Sequence, residues 1–471
     1  MVSLSRIRLG FYREPRCRRA RWARLSSEYN LDDWASAPFN APMTVDPPTS
    51  HQSGLFKHSL LLLMGTQIGN VATMLYQIVM MHQLDRVEYG VLASLLSLIL
   101  IIGTPLEALR TAVAHQVALL TRTGQSGAIG AVLWHWARAL MIAALIFFLL
   151  GLVFQAPMTR LLQLPVSTLM VWTATIMAGS LFIPFFAGAL QGLQAFLWMA
   201  IHGQVWAVTR FGVALLCLAW IGRSAFSGLV AQAIAVVASV AVGLWAIRRA
   251  YRRPTVTVIA PVGGWSYFLW SLCALAGYAV LMNADVALVK IFFSPEDAGE
   301  FAQAATIARS IVFLPVPIAA AMFPKVVSAG LSTASDRVIL VKSVVFTGSL
   351  ILFAGVACTL AASPIWRFFT GESPTPDALR LVRWMIWALS PLGLTFLLMN
   401  FELAQRRFRA PLSLLLLAAA YIVGVSIWHD TYWQVLTLIT GLTITSLLLM
   451  SVDVLRGGSK RSAAPQSIRT S

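Results

Sequence analysis

Residues 283–326 read NADVALVKIFFSPEDAGEFAQAATIARSIVFLPVPIAAAMFPKV, which is two apolar runs joined by a short polar turn at 294–297. At their full extent the runs cover residues 266–292 and 299–322, and each is long enough to cross the hydrocarbon of a bilayer as a helix. A turn this short predicts an antiparallel hairpin. The stretch therefore indicates a helical membrane protein that carries polar side chains at unusual depth.

The whole chain has the composition of a polytopic membrane protein. Residues of the types AVILMFWYC make up 58% of its 471 positions, and only 11% are charged, against roughly 25% in soluble proteins. This composition excludes a cytosolic enzyme and a secreted domain. The apolar runs are continuous, so they predict helices and not the alternating strands of an outer-membrane barrel. About twelve spans are expected, at 56–82, 88–109, 129–154, 166–190, 199–221, 226–247, 266–292, 299–322, 343–363, 379–404, 411–428 and 433–455.

The distribution of basic residues predicts the orientation of these spans. If the N-terminus is inside, the short inner loops carry twelve Lys and Arg residues and the outer loops carry four. Membrane proteins keep this excess on the cytoplasmic side, which accounts for the net charge of +17 without a nucleic-acid partner. Both termini are therefore expected in the cytoplasm. The inner residues are Arg110, Arg122, Arg248, Arg249, Arg252, Arg253, Lys325, Arg337, Lys342, Arg406, Arg407 and Arg409; the outer ones are Arg86, Arg160, Arg223 and Arg367.

Two weak internal matches predict that the first six spans and the last six are repeats. Aligning Gly90 of span 2 with Gly299 of span 8 gives an offset of 209, and it brings Pro105 within one residue of Pro315. The segment LQGLQAF at 190–196 also resembles ELAQRRF at 402–408, at an offset of 212. We therefore expect an all-α fold of two six-helix lobes related by an axis along the membrane normal, which is a transporter plan.

The repeat divides the chain into five segments. These are a basic tail at 1–53, an N-lobe of spans 1–6 at 54–247, a basic linker at 248–265, a C-lobe of spans 7–12 at 266–455 and a tail at 456–471, with both tails and the linker cytoplasmic. The first tail holds eight arginines and lacks the apolar core of a signal peptide. It is interpreted as a disordered tail or as the product of a start site placed too far upstream, with docking on anionic lipid as the alternative.

Ionisable side chains inside the hairpin spans are the leading functional candidates, because charge is costly within a membrane. Asp285 and Arg309 lie at similar depths on neighbouring antiparallel helices. They predict either an ion pair that holds the hairpin together or a cavity pair that binds an anion or responds to protonation. Asn283 and Lys290 share a helix face, from which Asp285 points away. Asp285 is the candidate for ion coupling, and the other three are candidates for substrate binding.

Two further arginines lie about ten residues into apolar spans. Arg138 in span 3 and Arg210 in span 5 could add positive charge to a central cavity or serve the structure alone. Glu402, Arg406 and Arg407 are interpreted as an interfacial cluster. Cysteines and histidines are dispersed without metal-ligand spacing, and no phosphate-binding GxxxxGK[ST] motif is present. No metal, cofactor or catalytic residue is therefore expected.

The hairpin resembles that of polysaccharide exporters and O-antigen flippases, a branch of the multidrug/oligosaccharidyl-lipid/polysaccharide exporter superfamily. The resemblance rests on Asn283-x-Asp285 in span 7, on the short loop ending near Gly299 and on Phe323-Pro324 after span 8. EYG at the start of span 2 and LQGLQAF after span 4 also fit. It covers residues 54–455, and it implies two six-helix lobes around a cationic cavity in the bacterial inner membrane.

The resemblance also implies a function that is not enzymatic. A polyprenyl-pyrophosphate-linked oligosaccharide would be moved from the inner to the outer leaflet by alternating access, with membrane lipids and other polysaccharide assembly proteins as partners. Arginine can bind the pyrophosphate with charge-assisted hydrogen bonds, and an ion gradient could drive the step. One alternative is a small-molecule cation or drug antiporter of the same superfamily, which would need an acidic cavity. The other, a membrane glycosyltransferase or polymerase, would need a larger external domain than the short loops provide.

Overall fold

The computed structural model describes residues 51–123, 125–251, 265–312, 315, 318–319 and 333–462. These residues are almost wholly helical, and two short 3-10 turns lie at Thr104–Leu106 and Ser126–Ala128. In chain order the α-helices are α1 (His51–Gln83), α2 (Arg86–Gly103), α3 (Glu107–Arg122), α4 (Ile129–Leu161), α5 (Thr168–Ser180), α6 (Phe182–Gly192), α7 (Phe196–Trp220), α8 (Ala225–Tyr251), α9 (Trp265–Phe292), α10 (Pro295–Val312), α11 (Thr333–Leu360), α12 (Ala362–Thr370), α13 (Pro376–Ala404), α14 (Arg409–Ile427) and α15 (Tyr432–Ser462).

The helices confirm the predicted all-α polytopic fold. Each of the twelve predicted spans overlaps at least one helix; span 2 continues past α2 into α3, span 4 is divided between α5 and α6, and most of span 8 beyond Val312 lies outside the described residues. Within the described part of the chain, ten helical segments are long and apolar enough to cross a membrane. Helix α10 is not among them, because its first half, PEDAGEFAQ, is polar. The end of the bundle that carries Arg86 and Ser294 is called the predicted outer end below, after the charge distribution.

Two segments predicted as loops are helical instead. The inner loop between spans 2 and 3 contains α3, and the outer loop around 364–378 begins with α12. Both helices are amphipathic and too polar for the span pattern, yet each buries one apolar stripe. In α3 the stripe is Leu109, Val113 and Val117, and in α12 it includes Trp366. Packing of one face therefore makes a helix where overall hydropathy predicted none.

Several predicted segment boundaries fall within helices or outside the described residues. Helix α8 runs past the predicted lobe boundary at 247 to Tyr251, and α15 runs past 455 to Ser462. Residues 1–50 of the predicted N-terminal tail, 252–264 of the linker and 463–471 of the C-terminal tail lie outside the described part of the chain.

Helix contacts recur at equivalent places in the two halves. In the N-lobe, α4 packs on α5, α5 on α8, and α7 on α8; in the C-lobe, α11 packs on α13, α13 on α15, and α14 on α15. Each N-lobe pair corresponds to the C-lobe pair whose spans come six spans later in the chain. The lobes contact each other mainly through α2, which packs against both α9 and α10. The predicted two-lobe arrangement therefore places the hairpin of α9 and α10 at the interface.

Equivalent residues also begin the two interface helices. Asp85 caps α2 by accepting a hydrogen bond from the Glu88 backbone N–H at 2.7 Å. Ser294, 209 positions later, precedes α10, and its Oγ accepts from the Asp297 N–H at 3.2 Å. Such caps satisfy backbone N–H groups that have no partner in the first helical turn. Capping residues at equivalent positions of the repeat thus mark the start of both helices.

Candidate functional site

Asp285 and Arg309 are in contact between α9 and α10, as both of the alternatives predicted for them require. The Arg309 Nη2 donates to Asp285 Oδ1, and its Nε donates to the Met282 carbonyl oxygen at 3.0 Å. The Asp285 side chain is only 2% exposed and that of Arg309 11% exposed. The two charges therefore neutralise each other inside the C-lobe. Removing one of the two side chains would leave the charge of the other buried without a counter-ion.

Other polar side chains of the C-lobe interior retain unused hydrogen-bonding capacity. Asn283 donates through Nδ2 to the Ala279 carbonyl at 3.0 Å, but its Oδ1 has no partner among the described residues. The same holds for Gln303 Oε1 and for the hydroxyl of Tyr421, which lies close enough to feel the charges of the pair. The described interior of the C-lobe therefore contains, besides the Asp285–Arg309 pair, buried polar atoms without a partner among the described residues.

Lys290 is buried about a turn beyond the pair, toward the predicted outer end. It is 1% exposed, and its Nζ contacts no hydrogen-bond partner within the described chain. Glu88 and Glu296 are near enough for their charges to act on it, although neither forms an ion pair with it. Lys290 and Asn283 are both buried, as is every residue of α9 from 281 to 290, so burial does not single out the face that they were predicted to share.

Arg210 lies inside the N-lobe and has a different environment from Arg309. Its guanidinium is stacked between the rings of Tyr76 and Trp206, whose centroids are 4.1 Å and 4.2 Å from Cζ. Nη1 donates to Gln232 Oε1 at 3.3 Å, while Nε and Nη2 have no partner among the described residues. No described carboxylate pairs with it. The structure thus holds an uncompensated cation in one lobe and a compensated one in the other.

Arg138 is not brought together with these residues. It lies on an exposed part of α4, whereas Asp285, Lys290 and Arg210 are buried. Its predicted contribution to a central cavity stays a prediction.

Tyr89 connects the lobes and was not anticipated as a site residue. Its hydroxyl lies 2.9 Å from Thr306 Oγ1 on α10 and 3.3 Å from Gln77 Oε1 on α1. The charges of both Arg210 and Arg309 reach it. Its place in the EYG segment at the start of span 2 was the available signal, because that segment begins a repeated motif.

Arg86 closes the predicted outer end and was counted only as a loop charge. Its Nη1 binds Glu300 at 3.2 Å and its Nη2 binds Glu372 at 2.9 Å. Arg86 belongs to the N-lobe and both carboxylates to the C-lobe. One turn deeper, Gly90 contacts Gly299. Ion pairing and close backbone packing thus join the lobes at this end.

The remaining predicted cluster lies at the end of α13. Glu402 is fully buried, and its Oε1 is 3.6 Å from Arg407 Nη1. Glu402 and Arg407 of the predicted cluster are therefore in contact, and the position of the cluster at a membrane interface stays a prediction. Among the described residues no group of His, Cys, Asp and Glu is arranged to hold a metal ion.

Solved structures of membrane transporters share this helical arrangement. An inward-facing multidrug resistance MATE family transporter of the MOP superfamily matches with a TM-score of 0.68 at 12% identity, over 85% of this chain and 96% of that chain. A eukaryotic MATE transporter matches with 0.63 at 13%, over 87% and 99%. The chain has the MOP transporter fold.

Lipid II flippase MurJ, in an inward closed conformation, also has this MOP fold, with a TM-score of 0.61 at 11% identity over 86% of this chain and 90% of that chain. No protein-family model and no curated protein matches the sequence. These solved structures include multidrug transporters and a lipid flippase, so the shared fold by itself does not distinguish the two activities.

Proposed function

We propose that the protein moves a polyprenyl-pyrophosphate-linked oligosaccharide, or a related polysaccharide precursor, across the bacterial inner membrane by alternating access. The charge balance of the buried side chains carries this proposal. In the described chain the two buried carboxylates, Asp285 and Glu402, are each paired with an arginine. Lys290, on α9 beside the lobe interface, is buried without a carboxylate partner. The interior therefore has an excess of positive charge, which suits an anionic substrate.

The chemistry of the head group explains why this excess is useful. A pyrophosphate cannot enter hydrocarbon without groups that replace its hydration. Guanidinium and ammonium groups do so with charge-assisted hydrogen bonds. Arg309, Lys290 and Asn283 lie on α9 and α10, the helices that meet the other lobe. We assign these three to the head group and Arg138 to its entry, while the polyprenyl chain stays in the lipid.

Asp285 couples this binding to an ion gradient in the proposed mechanism. While Asp285 is ionised it holds the Arg309 guanidinium, so that Arg309 offers little to a second anion. Protonation of Asp285 removes the negative charge and frees Arg309 to bind the pyrophosphate. Ion entry and substrate binding are thereby linked through one side chain.

A drug antiporter of the same fold is the second candidate. The TM-score of 0.68 to a multidrug MATE transporter favours it. A cationic substrate, however, needs a carboxylate that is free to pair with it, and both buried carboxylates already have arginine partners. The charge balance thus favours the lipid-linked anion.

The location of lipid-linked intermediates in a deletion strain tests the proposal. Loss of a flippase should leave lipid-linked saccharide units on the inner leaflet, and the wild-type chain or the exposed-residue variant Arg160→Gln should restore export. Accumulation on the outer leaflet would indicate a polymerase instead. An unchanged distribution, together with greater sensitivity to cationic drugs, would indicate the antiporter.

A further inference from the structure

Arg210 has hydrogen-bond donors that no described group of the protein uses. The side chain lies on α7 and is 4% exposed. Its two flat faces are covered by Tyr76 and Trp206, and only Nη1 donates, to Gln232. Nε and Nη2 are buried without acceptors. Buried polar groups are nearly always satisfied, so two free donors on one guanidinium indicate a ligand.

The N-lobe contains no carboxylate that could balance this charge. Residues 54–247 hold only Asp85, Glu88 and Glu107. Each of these lies at a helix end and is already engaged. Asp85 caps α2, Glu88 accepts from the Ala225 N–H at 2.6 Å, and Glu107 pairs with Arg110 at 3.4 Å.

Tyr76 does not supply the missing negative charge either. Its hydroxyl donates to the Gly228 carbonyl oxygen at 3.2 Å, which requires a protonated, neutral phenol. The stacked rings of Tyr76 and Trp206 attract the guanidinium through their π faces. That attraction offsets only part of the hydration that a buried ion loses.

We propose that Arg210 binds a small inorganic monoanion, of which chloride is the probe, inside the N-lobe. The anion accepts hydrogen bonds from Nε and Nη2 and neutralises the guanidinium. Its small size follows from the burial of Arg210 among α1, α7 and α8, because a lipid-linked head group could not reach it while these helices stay packed. This site goes beyond the proposed substrate path, which lies along α9 and α10.

Thermal unfolding of the purified full chain in detergent tests the site without any substrate. Sodium gluconate is replaced stepwise by sodium chloride or bromide at constant sodium concentration. Because a ligand that binds only the folded state stabilises it, Tm should rise by a few degrees and then saturate in the wild type. The matched control Arg160→Gln, which removes an exposed arginine of the same lobe, should show the same rise.

Arg210→Gln should abolish this chloride dependence. It should also melt no lower than the wild type in gluconate, because the uncompensated charge is gone. If the variant does not fold, bromide anomalous scattering beside Arg210 in crystals of the wild type is the second readout. A chloride response that persists in Arg210→Gln, or the absence of one in the wild type, would overturn the proposal. A Tm rise with inorganic pyrophosphate but not with chloride, if Arg210→Gln abolishes it, would overturn the proposal and assign Arg210 to the substrate instead. None of these outcomes depends on whether lipid-linked saccharide is flipped.

Discussion

Gly90 and Gly299 are in contact across the lobe interface, although 209 residues separate them in the chain. A Cβ added at Gly90 would lie 3.0 Å from the Gly299 Cα and 3.1 Å from its nitrogen. The internal repeat makes these two glycines equivalent. Equivalent residues can touch only near the axis that relates the two repeats, so the axis passes between α2 and α10. Small residues allow helix backbones to approach this closely.

Gly299→Val should destabilise this contact. The added side chain would clash with the backbone carbonyl of Arg86, and overpacking of this kind costs about 1–3 kcal/mol. Thermal unfolding in detergent should therefore show a lower Tm or a lower folded yield. Gly441→Val is the matched control, because a Cβ at Gly441 meets nothing within 4 Å. Equal stability of the two variants would contradict the close packing of α2 on α10.

Arg86→Gln should loosen the predicted outer end. It removes both interlobe ion pairs, to Glu300 and Glu372, which are partly exposed and worth about 0.2–1 kcal/mol each. In a chain without native cysteines, Thr306→Cys should then react several-fold faster with an impermeant maleimide added outside. The exposed Arg160→Gln should leave the labelling rate unchanged. An unaltered rate in Arg86→Gln would mean that these ion pairs do not hold the lobes together.

The Asp285–Arg309 pair makes a double-mutant prediction. Arg309→Ala leaves a buried carboxylate alone and should lower the folded yield, since breaking such a pair costs about 3–5 kcal/mol. Asp285→Asn combined with Arg309→Ala should restore the yield. The double variant should still fail to transport, because Arg309 is assigned to the substrate. Recovery of transport together with yield would make the pair purely structural.

Hydropathy and basic-residue counts make a prediction about topology. Reporter fusions after Arg253 and Arg409 should be cytoplasmic, because the inner loops carry twelve basic residues against four outside. A fusion near Thr375, in the loop after α12, should be outside. A cytoplasmic reading at Thr375 would require an even number of spans in the C-lobe before that point, and not the predicted three.

The spans and the hairpin pair could be predicted from the sequence because their signals are local. Twenty apolar residues identify a span, and the short turn at Ser294 fixes the relative depths of Asp285 and Arg309. Helices α3 and α12 could not be predicted in this way. Their stability depends on burying one apolar stripe against other helices. The hydropathy of the sequence does not show this contact.

The environments of the charged residues could not be predicted either. Arg138 and Arg210 lie at similar depths in their spans, yet one is exposed and the other is stacked between two rings. The other helices bury α4 much less than they bury α7, and hydropathy does not show which spans are peripheral. The contacts of Arg86 and Tyr89 with the C-lobe join residues more than 200 positions apart. Only the packed fold brings them together.

The most direct test of the proposed function is flipping in proteoliposomes that contain the purified chain and a fluorescent polyprenyl-pyrophosphate oligosaccharide. Dithionite added outside bleaches only the label exposed on the outer leaflet. We predict that the protein moves labelled substrate between the leaflets, so that dithionite bleaches the label from both. Lys290→Gln should slow this movement. A fluorescent cationic drug in the same vesicles should not be moved. Transport of the drug with no exchange of the lipid-linked saccharide would contradict the account.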